Sequence, residues 1–146
     1  MMITEKKMDL FKLSNEYTLV HCISEDCAMG KGIAKVFDKK FKGMKKDILW
    51  TLVENNLHYP ISIMFLGEDQ NVINMITKKE YWHKPTYKTF EIALDDVVKI
   101  CKKHNITKLG MPKIGCGLDR LQWGKVKTMI EDKFKDLDIE IIICYL

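Results

Sequence analysis

Apolar residues along the chain recur with two alternating periods, one strand-like and one helical. Residues 17–23 (YTLVHCI) form a short, largely apolar run, and residues 32–41 follow with helical spacing that brings Ile33, Val36, Phe37 and Phe41 near one face. Residues 44–55 predict a second helix, in which Ile48, Leu49, Leu52 and Val53 repeat at three and four. Two strand-length runs, 61–66 and 72–77, are separated by Gly67-Glu68-Asp69-Gln70-Asn71, a gap that suits a hairpin. The clearest helix starts after Pro85 and runs from Tyr87 to His104, with Phe90, Leu94, Val97, Val98 and Cys101 as its stripe and Asn105 as a stop. Residues 108–111 form a short strand that ends at Pro112. Residues 123–134 predict the last helix, with Val126, Met129, Ile130 and Phe134 inward. Residues 139–145 (IEIIICY) are almost continuously apolar, as a strand covered on both faces should be.

Strands interleaved with helices predict an α/β sandwich: a mixed sheet with helices on both sides. With 146 residues, no low-complexity linker and no internal repeat, residues 1–146 are expected to form a single domain around one core. Ligands of such sheets bind beyond the carboxyl ends of the strands, so the loops that follow strands are the first places to look for chemistry.

Composition narrows the classes. No apolar run approaches the ~20 residues of a membrane span, and the first seven residues lack the apolar core of a signal peptide. Five scattered cysteines (Cys22, Cys27, Cys101, Cys116 and Cys144) argue against a disulfide framework and for a reducing, cytoplasmic setting. His21, Cys22 and Cys27 have no second Cys/His pair at zinc spacing, so no metal is expected. A formal net charge of +4 suits an anionic ligand but falls short of a dedicated nucleic-acid binder. Of 24 basic residues only Arg120 is an arginine, which suggests a planar fork held for an anion or a structural carboxylate.

Three strand-following loops carry candidate chemistry. In residues 24–33, Gly30 and Gly32 would let the backbone pass close to a ligand, and the helix start beyond them offers unpaired amides to a phosphate. Residues 112–120 (PKIGCGLDR) repeat the arrangement, and two such loops in one small domain suggest a diphosphate held between them. Neither is a P-loop or a full dinucleotide glycine motif. Ile76-Thr77-Lys78-Lys79 ends a strand, and alternation allows only one of the two lysines to face a given site. That lysine becomes a nucleophile if burial and its like-charged neighbour keep the amine partly neutral. Cys116, between two glycines, is the rival nucleophile but has no assignable partner, and His83 is at most a positioning group.

Together these segments resemble the macrodomains, in the branch that contains terminal ADP-ribose protein glycohydrolase. The likeness rests on residues 21–34 (HCISEDCAMGKGIA), 76–79 (ITKK), 83–87 (HKPTY) and 111–123 (MPKIGCGLDRLQW), and runs from Met8-Asp9-Leu10-Phe11 to Leu146. It implies a three-layer α/β/α macrodomain with a mixed, mostly parallel sheet, binding ADP-ribose without cofactor or metal. It further implies adenine contacts at Asp9, Leu10 and Leu146, a first ligand loop at Ser24, Gly30, Gly32 and Ile33, and a diphosphate and ribose loop at Lys113, Ile114, Gly115, Cys116, Gly117, Leu118 and Asp119. Lys78 matches the catalytic lysine of that branch and Asp119 its acid/base partner. Met8 departs from the glycine common before the aspartate. The asparagine-rich first loop of other branches is absent, and with it their water-activating mechanism.

The implied activity is a monomeric hydrolase that frees ADP-ribose from ester-linked Glu or Asp on ADP-ribosylated proteins and deacetylates O-acetyl-ADP-ribose. Lys78 would attack the anomeric carbon once the sugar is opened, and Asp119 would shuttle protons. The competing expectations are a non-catalytic ADP-ribose reader and a hydrolase of ADP-ribosylated nucleic acid.

Overall fold

A computed structural model describes residues 1–146. Six strands form one sheet: β1 (Met2–Lys7), β2 (Thr18–Ser24), β3 (Ile61–Phe65), β4 (Val72–Lys78), β5 (Lys108–Met111) and β6 (Glu140–Tyr145). Their order across the sheet is β1-β6-β5-β2-β4-β3. All neighbouring pairs are parallel except β3 and β4, the predicted hairpin. Four helices complete the domain: α1 (Gly32–Lys40), α2 (Met44–Glu54), α3 (Tyr87–Lys103) and α4 (Trp123–Phe134).

Strand alternation divides the core in two. Ile73, Met75, Ile141 and Ile143 turn towards Phe90, Leu94 and Val97 of α3 and Val126, Ile130 and Phe134 of α4. Val72, Ile76, Ile142 and Cys144 turn the other way, towards Phe37 of α1 and Met44, Ile48 and Leu52 of α2. Because β4 and β6 bury both faces, their sequences are largely apolar, with Asn74 and Thr77 as buried polar exceptions in β4. The result is the expected α/β/α sandwich.

Two elements differ from the sequence expectation. The inward line of α2 is Met44, Ile48 and Leu52, whereas Leu49 is partly exposed and Val53 is 77% exposed. A helix over the sheet margin buries a narrow i, i+4 stripe rather than a broad face. Strand β1 has no apolar signature, because it is an edge strand whose residues are mostly exposed. Its register is set by the parallel ladder to β6, from Met2 opposite Glu140 to Lys7 opposite Tyr145.

No helix is long and apolar enough to cross a membrane. All five cysteines are free thiols.

Candidate active site

Strands β5, β2 and β4 are adjacent and parallel, so their carboxyl ends open side by side on one edge. A register shift after Ile23 sets Ser24 opposite Lys78 instead of Thr77. Such a bulge re-aims side chains at the end of a ladder. Alternation then separates the two lysines: Lys78 lines a large cavity at this edge, and Lys79 lies outside it and is exposed.

The Lys78 amine meets the Asp119 carboxylate, with Nζ 2.6 Å from Oδ1 and both side chains 12% exposed. Forty-one residues separate the two in sequence, and the ends of β4 and the loop after β5 bring them together. The close partner of Lys78 is therefore a carboxylate, not the like-charged Lys79 that the sequence suggested.

The cavity has a volume of about 1090 Å³, at the upper end of the ~300–1,000 Å³ common for small-molecule sites. Its walls include Ser24, Gly30, Gly32 and Ile33 from the first loop, and Lys113, Ile114, Gly115, Gly117 and Leu118 from the second. Five lysines (Lys31, Lys45, Lys78, Lys84 and Lys113) face two aspartates (Asp38 and Asp119), so the excess charge favours an anion.

Local bonds fix these loops. Asp26 accepts hydrogen bonds from the Ser24 hydroxyl, from the Ala28 amide at 3.1 Å and from the Tyr81 amide at 3.1 Å. Burial raises its carboxyl, but those hydrogen bonds outweigh burial and hold it below the usual carboxylate range. The second loop turns at Gly115, where φ is +73° and a Cβ would lie 2.9 Å from Leu121 and 3.3 Å from Phe90. At Gly30 and Gly117 a Cβ would meet nothing within 4 Å, so packing does not demand glycine there. Behind the loop, Glu5 accepts from Trp123 Nε1 at 3.0 Å and from Lys127 at 2.8 Å, and lies 3.9 Å from Lys113 Nζ.

Other candidates fall elsewhere. The Cys116 thiol points to the Ile114 carbonyl at 3.3 Å, outside the cavity lining, and burial pushes it up to about 11. A thiol held protonated and without a base is no activated nucleophile. Cys22 lines the cavity, but burial drives its thiol well above the ordinary range. His83 lies outside the cavity, and its Nδ1 accepts from the Glu80 amide at 3.3 Å. Arg120 pairs with no carboxylate: it is exposed, forms no ion pair and occupies a turn with φ +62°.

Asp9, Leu10 and Leu146 also lie outside the cavity lining. Asp9 caps the short 3-10 helix Leu10–Lys12, accepting from the Phe11 amide at 3.0 Å. Leu10 is buried in the α1/α2-side core, and Leu146 is 91% exposed.

The structure adds wall residues outside the quoted segments, Asp38, Lys45, Tyr81 and Trp82, and two lysines within them that were not singled out, Lys31 and Lys84. Lys84 Nζ reaches the Leu118 carbonyl at 2.5 Å and ties the end of the β4–α3 connection to the second loop. A Tyr-Trp pair three residues past a strand-end lysine was a readable signal, because two large aromatics are unusual in a short polar turn.

An α/β/α domain with two glycine loops and a cationic cavity at one sheet edge defines a binder of phosphorylated small molecules. A macro domain family model matches residues 20–130, and the chain belongs to the macrodomain family. Human ADP-ribose glycohydrolase OARD1 is 44% identical over 142 residues, covering 97% of this chain and 90% of that protein. DNA ADP-ribosyl glycohydrolase of Mycobacterium tuberculosis is 27% identical over 148 residues, covering 97% of this chain and 42% of that protein. The macrodomain of Mycobacterium tuberculosis DarG superposes with a TM-score of 0.87 at 24% identity, covering 99% of this chain and 98% of the other, a likeness of fold.

Proposed function

We propose that this protein is an ADP-ribosyl hydrolase that releases ADP-ribose from ester-linked Glu or Asp side chains, with Lys78 as nucleophile and Asp119 as acid/base. One observation carries the reading: a lysine and an aspartate from different segments are paired at 2.6 Å in the wall of a cationic cavity. A binding module needs no such pair, whereas nucleophilic displacement needs an amine beside a proton acceptor. The glycohydrolase names carried by the relatives support the same class.

The two glycine loops hold the diphosphate, and the open space at Gly30 and Gly117 leaves room for its oxygens. The distal ribose lies over Lys78. Asp9 and Leu146 stand at the ends of β1 and β6, and Lys78 stands at the end of β4. Four inter-strand steps of about 4.8 Å separate β1 from β4, roughly 19 Å in all. An elongated ligand with an adenine at one end and a ribose at the other fits that span, with the free oxygen of Asp9 left for the adenine.

In the first step Lys78 passes a proton to Asp119, and its nitrogen forms a bond to the anomeric carbon. The carbon–oxygen bond to the acceptor breaks, its electron pair leaves with the carboxylate, and that carboxylate takes the proton from Asp119. In the second step Asp119 assists a water that adds to the same carbon, and the carbon–nitrogen pair returns to Lys78. The net reaction consumes one water and yields ADP-ribose and the free acid. O-acetyl-ADP-ribose that carries its acetyl group on the anomeric oxygen is a substrate on the same principle, with acetate leaving.

The test is release of free ADP-ribose from a glutamate-ADP-ribosylated protein by wild type, Lys78→Ala and Asp119→Ala. Wild type alone is expected to release it, and intact-mass spectra of Asp119→Ala are expected to show an ADP-ribosyl adduct on Lys78. Turnover by Lys78→Ala at the wild-type rate would remove the nucleophile assignment. No release by any form, with ADP-ribose bound in calorimetry, would make the protein a reader.

A second acceptor class has its own support, from the five lysines of the cavity and the DNA-directed name of the mycobacterial relative. On ADP-ribosylated DNA that reading requires an affinity that falls steeply with salt.

A further inference from the structure

Two large aromatic side chains are exposed on the rim of the cavity, the only aromatics in its lining: Tyr81 is 54% exposed and Trp82 is 62% exposed. They meet edge to face, with ring centroids 5.1 Å apart, and Trp82 stands edge to face with His83 at 5.3 Å. The turn that carries them is closed on itself. The His83 amide donates to the Glu80 carbonyl at 3.0 Å, and the Glu80 amide donates to His83 Nδ1 at 3.3 Å. It is also fastened to the first ligand loop, since the Tyr81 amide donates to Asp26 at 3.1 Å and the Asp26 amide donates to the Lys79 carbonyl at 3.3 Å.

Exposing two aromatics forgoes the stabilisation of burying them. A rigid aromatic pair presents contact area at low ordering cost, because each ring has only two side-chain torsions to fix. The turn begins two residues after Lys78, the group on which the proposed function places the anomeric carbon. On that placement, this turn stands beside whatever is bonded to that carbon. Next to the turn, Lys84 reaches across to the Leu118 carbonyl of the opposite loop at 2.5 Å.

We propose that Tyr81 and Trp82 form an acceptor subsite that takes an aromatic or bulky apolar side chain next to the modified Glu or Asp of the protein substrate. The subsite rests on the hydrolase reading above and adds a selectivity that the catalytic pair alone does not supply. It discriminates among protein acceptors and leaves the ADP-ribosyl part of the substrate to the glycine loops.

The experiment uses two peptides, each ADP-ribosylated on one glutamate and differing only in the adjacent residue, Phe or Ser. The measured quantity is the ratio of their kcat/KM values, which a general loss of folding or catalysis does not move. Wild type is expected to prefer the Phe peptide by roughly fivefold or more, the scale of one aromatic contact. Tyr81→Ala/Trp82→Ala is expected to bring the ratio to about one, and Trp82→Phe to retain most of the preference. A wild-type ratio near one, or a ratio unchanged in the double variant, would overturn the subsite while leaving the hydrolase standing. A dependence on the two aromatics seen with ADP-ribosylated oligonucleotides and absent with peptides would also overturn it, in favour of a nucleobase. No release from either peptide by wild type would overturn the hydrolase reading for protein esters, and the subsite with it.

Discussion

Gly30 and Gly117 face open space, whereas Gly115 is hemmed in by Leu121 and Phe90 with φ at +73°. The same Gly→Ala change therefore has opposite consequences at these positions. Gly115→Ala adds a strained backbone to a steric overlap and is expected to destabilise the fold by about 1–3 kcal/mol, read as a lower midpoint in chemical denaturation. Gly30→Ala meets no protein atom and is expected to leave that midpoint within about 0.5 kcal/mol of wild type. If a diphosphate occupies the space beside Gly30, the same variant weakens ADP-ribose binding in calorimetry. Unchanged affinity would place the diphosphate elsewhere. The rival nucleophile is tested at the same scale. Cys116→Ser is expected to retain turnover, because the thiol is turned to the Ile114 carbonyl and held protonated, and a thiol mechanism would lose all of it.

Among the elements, helix α3 has the fullest set of local signals and was the most legible in sequence. Thr86 caps it, accepting from the Thr89 amide at 3.0 Å while the Thr89 hydroxyl accepts from the Thr86 amide at 3.0 Å. Thr86→Ala is expected to cost about 1 kcal/mol in the same denaturation measurement. Strands β2, β4 and β6 were legible because continuous apolar runs survive burial on both faces. Strand β1 was not, since an edge strand need satisfy only one neighbour and tolerates Glu5, Lys6 and Lys7. The broad stripe expected of α2 failed because propensity reports a helix but not how much of it the sheet will cover. The loops of the site were legible as glycine turns after strands, and Lys78 and Asp119 through resemblance. Their pairing at 2.6 Å was not legible, for it depends on the order of β4, β2 and β5 across the sheet. Tyr81 and Trp82 were passed over although their place in a short polar turn after Lys78 was readable; only the fold shows that they reach the cavity rim.

At the scale of the molecule, one buried histidine couples the fold to pH. His21 is fully buried, stacked on Phe37 with centroids 3.8 Å apart, and its Nε2 lies 2.6 Å from Asn74 Oδ1. Asn74 Nδ2 donates to the Ile63 carbonyl at 3.3 Å, so its oxygen accepts and His21 Nε2 carries the proton. Burial lowers this imidazole to about 4 and outweighs the hydrogen bond to Asn74, which acts the other way. The folded value is thus below the unfolded one, near 6.5. Above that pH both states are neutral and stability is fully present. As the pH falls towards 4 the unfolded chain binds a proton that the folded chain does not, and up to ~3 kcal/mol is lost. Denaturation midpoints between pH 7 and 4.5 are expected to fall for wild type and to flatten in His21→Gln. A parallel slope in the two proteins would assign the acid sensitivity to other groups.

The turn that closes between Glu80 and His83 has a consequence for how this chain can change over generations. Its bonds are made within itself and to Asp26, and its two aromatic side chains carry none of the sheet core. Residues 81 and 82 can therefore be exchanged without disturbing Lys78, Asp119 or the strands that present them. If these two side chains hold the acceptor, a lineage can drift from one family of acceptors to another through two codons, while the pair of Lys78 and Asp119 stays fixed.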